Sequence, residues 1–135
     1  MRNNRSVPPC PVIPNLSYPD PAIAADWLAA TFGFTVRLRI ANHRIQMLAS
    51  GGCFTIREGN EIPNQACFLQ LRIENALSHC ERARNAGAKI LMEPVEYPYG
   101  ERQYQAQDFY GHRWDFTETI RDVDPQTWGG TLTVP

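Results

Sequence analysis

The chain has 135 residues, of which 43% are hydrophobic and 20% charged, and its formal net charge is −1. These values fit one globular domain and exclude a disordered chain, and Lys and Arg spread along the sequence argue against a nucleic-acid partner. No apolar run is long enough for a membrane helix, so we predict no membrane partner. The four cysteines show no C-x-x-C spacing, which favours free thiols and a cytoplasmic location.

The first half of the chain predicts a strand, a helix and three further strands. Residues 12–18 form the first strand, and Asp20-Pro21 then supplies a capping carboxylate followed by proline at the first helical position. Gly33 ends this helix. Apolar and polar residues alternate over 34–40, and shorter strands follow at 45–49 and up to about residue 58.

The second half predicts the same order of elements. Residues 67–73 alternate as a strand, and Glu74-Asn75 caps a helix that Gly87 ends. The apolar stripe of this helix consists of Ala76, Leu77, Cys80 and Ala83. A strand from residue 89 to about 93 is bent or stopped by Pro94, and two more strands run through Tyr104 and through Trp114.

The spacing of glycines shows that the two halves are copies. Gly33 precedes Gly87 by 54 positions, and Gly51 precedes Gly111 by 60. The offset between the copies increases along the chain because their hairpin loops differ in length. Within the strands, the alternation of buried and exposed side chains is the same in both copies. We therefore predict an α+β fold in which two β-α-β-β-β modules form a curved, mostly antiparallel, cupped sheet with helices on the outside.

The same pattern divides the chain into three parts. We expect a flexible arm over residues 1–10 and one domain over residues 11–119, with modules at about 11–58 and 66–119. A tail over residues 120–135 follows, and apolar Trp128 favours its docking on the domain or on a partner chain.

This order of elements resembles the vicinal oxygen chelate superfamily, which includes glyoxalase I, bleomycin-resistance proteins and extradiol dioxygenases. The resemblance rests on Tyr18-Pro19-Asp20-Pro21, Trp27-Leu28, Phe32-Gly33-Phe34, Ala83-Arg84-Asn85-Ala86-Gly87-Ala88, Tyr99-Gly100-Glu101-Arg102 and Asp108-Phe109-Tyr110-Gly111-His112-Arg113-Trp114. The last stretch commonly reads Asp-Pro-Asp-Gly-His in the family, so Phe109 and Tyr110 depart from the pattern. The resemblance implies a small-molecule cleft and a homodimer.

Members of the superfamily commonly hold a divalent metal at four strand positions. Projected through the repeat, these positions fall near Ile13, Thr55, Phe68 and Asp115, and only Asp115 is a good ligand. A shift of one residue along any strand adds only Cys67 as a ligand type. We therefore predict no metal and no cofactor.

The strand faces opposite the apolar ones are expected to line the cleft. The ligand-binding residues predicted on this basis are Asn15, Ser17, Thr55, Arg57, Phe68, Gln70, Arg72, Tyr104, Arg113 and Asp115. Arginine forks favour an anionic or aromatic small molecule, although exposed strand arginines and a structural salt bridge at Asp115 explain the same residues. Since Gln103 and Gln105 are both polar, Tyr104 fits either face of its strand.

Three functions fit these observations. The first, which we favour, is a non-catalytic, metal-free protein of the glyoxalase/bleomycin-resistance type that binds a small organic molecule. The second is a metal-dependent lyase, isomerase or dioxygenase of the same superfamily. The third is a protein-assembly module. Neither the ligand nor the sharing of the cleft between chains follows from the sequence.

Overall fold

A computed structural model describes residues 2–134, and its elements repeat in the expected order. The first module comprises β1 (Asn15–Tyr18), α1 (Pro21–Phe32), β2 (Thr35–Ile40), β3 (Arg44–Ala49) and β4 (Gly52–Glu58). The second comprises β5 (Leu69–Arg72), α2 (Ala76–Asn85), β6 (Lys89–Glu96), β7 (Glu101–Gln107) and β8 (Arg113–Thr119), and a 3-10 turn (Pro125–Trp128) follows. Neither helix in this range is long and apolar enough to cross a membrane.

Each module forms its own four-stranded sheet. The strand orders are β1-β4-β3-β2 and β5-β8-β7-β6, with the first strand parallel to the last and the other pairs antiparallel. The registers match, because Asn15 lies beside Thr55 as Gln70 lies beside Asp115. The predicted α+β fold with a duplicated module is confirmed, and both sheets are open.

The helix ends follow from their capping residues. Asp20 accepts a hydrogen bond from the backbone N–H of Ile23 at 3.2 Å, and Gly33 takes the left-handed conformation that closes α1. Asn75 caps α2 by accepting from the N–H of Ser78 at 3.0 Å. The stripe predicted for α2 is wrong at Leu77, which is 54% exposed. Position 77 lies about 100° around the helix from the row 76, 80, 83 that packs inward.

Prolines account for the strand ends that differ from the expected ones. Strand β1 begins at Asn15 rather than at residue 12, since Pro11 and Pro14 have no N–H to donate. Strand β6 continues past Pro94 to Glu96, because it is an edge strand whose register shifts between Met92 and Val95. An irregular edge strand tolerates proline.

The two modules share one hydrophobic core. The ring centroids of Phe54 in β4 and Trp114 in β8 are 5.2 Å apart, and Phe32, at the end of α1, lies 4.9 Å from Phe116. Successive side chains of a strand point to opposite faces, so Thr55 and Asp115 lie on the faces turned away from this core. The polar sides of the two sheets therefore point away from each other within one chain.

Candidate functional site

The polar face of the first sheet is the side opposite α1 and carries Asn15, Ser17, Gln46, Thr55 and Arg57. Its hydrogen-bonding groups are largely occupied within the chain. Arg57 donates at 2.7 Å to Glu61, which lies in the linker between the two modules, residues 59–64. The backbone N–H of Glu61, the Arg57 guanidinium and the Ser17 hydroxyl together lower the pKa of the Glu61 carboxyl to about 2. The linker thus closes one end of this face.

The polar face of the second sheet is the corresponding side opposite α2. Its centre is an ion pair in which Arg113 Nε and Nη2 donate to the two carboxylate oxygens of Asp115 at 2.8 and 2.9 Å. The same guanidinium stacks over the ring of Phe68, 3.8 Å from its centroid. The hydrogen bonds that Arg113 donates to Asp115 raise the pKa of Arg113. Both partners are fixed in position by this two-point contact.

A second polar network lies beside this pair on the same face. Glu101 accepts from the Thr117 hydroxyl at 2.7 Å and from Arg72 at 3.0 Å, and Gln103 donates to Thr117 at 3.0 Å. Burial works against ionisation of Glu101, but the hydrogen bonds from Thr117, Thr119 and Arg72 hold the pKa of its carboxyl below the usual value. The face is therefore an ordered strip of amide, hydroxyl and charged groups.

The residues at the projected metal positions do not fit a divalent ion. The strand register puts Asn15 beside Thr55 and Gln70 beside Asp115, whereas Ile13 and Phe68 lie two residues earlier, before β1 and β5 begin. These donors are two amides, a hydroxyl and one carboxylate, and both oxygens of that carboxylate already accept from Arg113. Within residues 2–134 no three His, Cys, Asp or Glu side chains group as metal ligands.

The residues expected to line the cleft lie mostly on these two faces, but on separate sheets. Asn15, Ser17, Thr55 and Arg57 belong to the first face. Gln70, Arg72, Arg113 and Asp115 belong to the second, with Phe68 at its edge just before β5. No hydrogen bond found within residues 2–134 joins one set to the other, but Asn15 lines one cavity of about 270 Å³ together with Phe68 and Arg113.

Tyr104 lies elsewhere. Its side chain is fully buried in the core, and its hydroxyl is 2.5 Å from Nδ1 of His79. Burial raises the pKa of the Tyr104 hydroxyl. The repeat relates Tyr104 to a core position of the first module. Tyr104 pairs with Phe116 across the strands just as Ile45, which is buried in the core, pairs with Ile56.

An aromatic ledge at the end of the second polar face was not predicted. It consists of Tyr97, Tyr99 and Trp128. The rings of Tyr97 and Tyr99 stack 5.3 Å apart, and Trp128 lies 5.1 Å from Tyr99 and is 46% exposed. The Tyr99 hydroxyl donates to Gln103 at 3.0 Å, which connects the ledge to the polar strip. A turn and a tail, which follow no periodic pattern, bring these rings together.

The fold and the two polar faces define a class of duplicated β-α-β-β-β proteins, and comparison with known proteins agrees. The model of the Glyoxalase/Bleomycin resistance protein/Dioxygenase superfamily matches residues 14–116. The chain belongs to this superfamily. No curated protein sequence matches it significantly.

Solved structures give the same fold. TioX from Micromonospora sp. ML1 is 30% identical with a TM-score of 0.68, over 84% of this chain and 98% of TioX. A superfamily enzyme from Burkholderia phytofirmans PsJN is 15% identical with a TM-score of 0.68, over 78% of this chain and 95% of its own. The fosfomycin resistance protein FosX from Listeria monocytogenes is 16% identical with a TM-score of 0.67, over 83% and 94%. These last two likenesses concern the fold alone.

Proposed function

We propose that this protein binds a small organic molecule on its polar strand faces, without a metal and without catalysing a reaction. The Arg113–Asp115 pair carries the proposal. A carboxylate at a position where relatives commonly hold a metal instead accepts two hydrogen bonds from a neighbouring arginine. Such a pair fixes the guanidinium with its Nε and Nη2 side on Asp115 and its Nη1 side left to contact a ligand, and it leaves no carboxylate oxygen free of a partner.

The chemistry of the second face indicates the kind of ligand. Gln70, Gln103 and Gln105 supply amide donors and acceptors, and Arg113 supplies a cation stacked on Phe68. The aromatic ledge adds exposed π-surface at the far end of the strip. A ligand with a planar aromatic part and an anionic or carbonyl group would match both features.

A homodimer would give this ligand an enclosed cleft. The two polar faces of one chain point away from each other, because Phe54 and Trp114 meet in the core between them. A second copy could place its second polar face over the first polar face of its partner, so that each cleft draws residues from two chains. Four free thiols fit a reducing, cytoplasmic setting.

Metal analysis of untagged protein tests the metal-free part of the proposal. We expect far less than one divalent ion per chain, and no change in melting temperature on adding a chelator. One tightly bound divalent ion per chain would refute this part and favour a metal-dependent enzyme.

Thermal shift with 1-naphthoate, salicylate and phenylphosphonate tests the ligand class, since binding to the native state raises the melting temperature. We expect a shift with at least one compound that is lost in Arg113→Ala. The matched control is Arg39→Ala, which removes an exposed arginine paired with Asp26 at 3.4 Å. Equal shifts in both variants, or none in the wild type, would count against the proposal.

A further inference from the structure

The N-terminal segment covers part of the first polar face. We call residues 4–12 the strap. Gln46 Nε2 donates to the carbonyl of Ser6 at 2.8 Å, and Arg37 Nη2 donates to the carbonyl of Arg5 at 3.1 Å. Pro8 is buried. A segment expected to be a flexible arm thus has specific contacts with side chains of β2 and β3.

Two thiols meet where the strap crosses the sheet. Cys53, in β4, is 8% exposed, and its Sγ lies 4.0 Å from the carbonyl of Val12 in the strap. Cys10 lines a cavity with Leu48 and Gly52, and Leu48 is the cross-strand neighbour of Cys53. The Cys10 and Cys53 thiols are near enough to affect each other's ionisation, and neither is in a disulfide. One thiol belongs to the strap and the other to the sheet beneath it.

We propose that Cys10 and Cys53 are an oxidative modification site, at which hydrogen peroxide converts the two thiols to a disulfide that fixes the strap over the first polar face. Cys10 attacks one peroxide oxygen as the thiolate and becomes a sulfenic acid, while the other oxygen leaves as hydroxide and is protonated to water. The Cys53 sulfur then attacks the Cys10 sulfur. The sulfenic hydroxyl leaves with the Cys53 proton as a second water, so two thiols and one peroxide give one disulfide and two waters.

The surroundings of the two thiols assign their roles. Burial, followed by the neighbouring Cys10, raises the pKa of the Cys53 thiol, although the nearby Arg37 acts in the opposite direction. Cys53 therefore stays protonated and shielded from solvent. Cys10 is partly exposed and meets the oxidant first. Cys53 is the resolving thiol.

Closure of the strap has a consequence for the surface beneath it. Arg37 and Gln46 are engaged by strap carbonyls, so they cannot at the same time contact another molecule. The disulfide would hold the strap on the first polar face until a reductant such as glutathione reduces it. The strap and its two thiols would form this site whether or not the protein binds a ligand on these faces.

Counting free thiols after treatment with hydrogen peroxide, followed by non-reducing peptide mapping, tests the site. We expect the four free thiols of the reduced chain to fall to two. The linked peptides should contain Cys10 and Cys53. Cys10→Ser should abolish the link. Because Cys10 lies in the strap, we expect this variant to fold like the wild type, and its melting temperature verifies this. Cys67→Ser, at an exposed thiol, and Cys80→Ser, at a buried one, should both retain it.

A link through Cys67 or Cys80, or no intramolecular disulfide at all, would overturn the proposal. The rate at which iodoacetamide labels Cys53 tests the strap independently. Gln46→Ala removes a strap contact and should speed the labelling of Cys53 about fivefold. Gln105→Ala is the matched control, because Gln105 lies beside Asp115 as Gln46 lies beside Thr55. Equal rates in the two variants would show that no strap shields Cys53.

Discussion

Tyr18 donates a 2.6 Å hydrogen bond to Asp108, which lies 90 residues further along the chain. The indole N–H of Trp114 donates to the same carboxylate oxygen at 3.0 Å. The other oxygen accepts from the backbone N–H groups of Tyr110, Gly111 and His112. Burial, followed by the charge of Asp108, raises the pKa of the Tyr18 hydroxyl. The Asp-Phe-Tyr-Gly-His stretch therefore joins the modules through its first residue, Asp108.

Loss of this carboxylate should be severely destabilising. Asp108→Ala leaves the donors of Tyr18, Trp114, Tyr110 and His112 without this acceptor, while the Gly111 N–H keeps the Asp108 carbonyl, and it should lower the free energy of unfolding by about 3–5 kcal/mol. Tyr18→Phe removes one donor and should cost about 1–2 kcal/mol. Urea unfolding measures both values. Equal losses in the two variants would show that the carboxylate binds nothing of consequence besides Tyr18.

Stability should fall on mild acidification because of His79. Its Nε2 lies 3.0 Å from the Phe32 carbonyl, which can only accept, so Nδ1 must accept from the Tyr104 hydroxyl. Burial lowers the pKa of His79 from its usual 6.5, which outweighs the opposing effect of the Phe32 carbonyl. Below about pH 6.5 the unfolded chain therefore binds more protons than the folded one, and the free energy of unfolding decreases.

The measurement is urea unfolding at several pH values between 5 and 8. His79→Gln should lose part of the decrease seen below pH 6.5 in the wild type. His43→Gln, at an exposed turn, should keep it. If both variants follow the wild-type curve, the pKa of His79 is the same in the folded and the unfolded chain.

The tail passes too close to Gly100 for any side chain there. Gly100 has φ of +87°, an added Cβ would collide with the Arg121 carbonyl, and the Ile120 N–H donates to the Gly100 carbonyl at 2.8 Å. Gly51, with φ of +83°, has open space around it. Gly51→Ala should cost about 1–2 kcal/mol from backbone strain alone. Gly100→Ala should cost about 1–3 kcal/mol more because of the collision, and equal melting temperatures would contradict this.

The Arg113–Asp115 pair should matter more for stability than an exposed pair does. Asp115→Asn leaves a largely covered guanidinium without its anion and should cost about 1–3 kcal/mol. Asp26→Asn breaks the pair with Arg39, in which the Asp26 side chain is 76% exposed, and should cost less than about 0.5 kcal/mol. Chemical denaturation of both variants provides the comparison. A negligible loss for Asp115→Asn would mean that solvent replaces the carboxylate.

The sequence predicts the elements well because their determinants are local. Asp20, Pro21 and Gly33 mark the ends of α1 by capping chemistry, and the alternation around Trp114 and Phe116 identifies the inward side of β8. The repeat then supplies the duplicated topology. All of these signals act within a few residues of the feature that they specify.

The arrangement of the surfaces does not follow from such signals. Periodicity shows that one side of β4 and of β8 is apolar, but not that Phe54 meets Trp114 across the core. The contact of Trp128 with Tyr99 and the bonds from Gln46 to the strap join segments without any regular pattern. Because Gln103 and Gln105 are both polar, Tyr104 fits either side of its strand by sequence, and only its cross-strand partner Phe116 decides the side.

Because Phe32 and Phe34 of the first module lie against Trp114 of the second, neither half has a complete interior of its own. Fragments produced by cutting the polar linker at residues 59–64 would each expose large aromatic rings to water, so folding of either one depends on finding the other. We therefore expect the duplicated halves to unfold together, in a single cooperative step, despite their separate sheets.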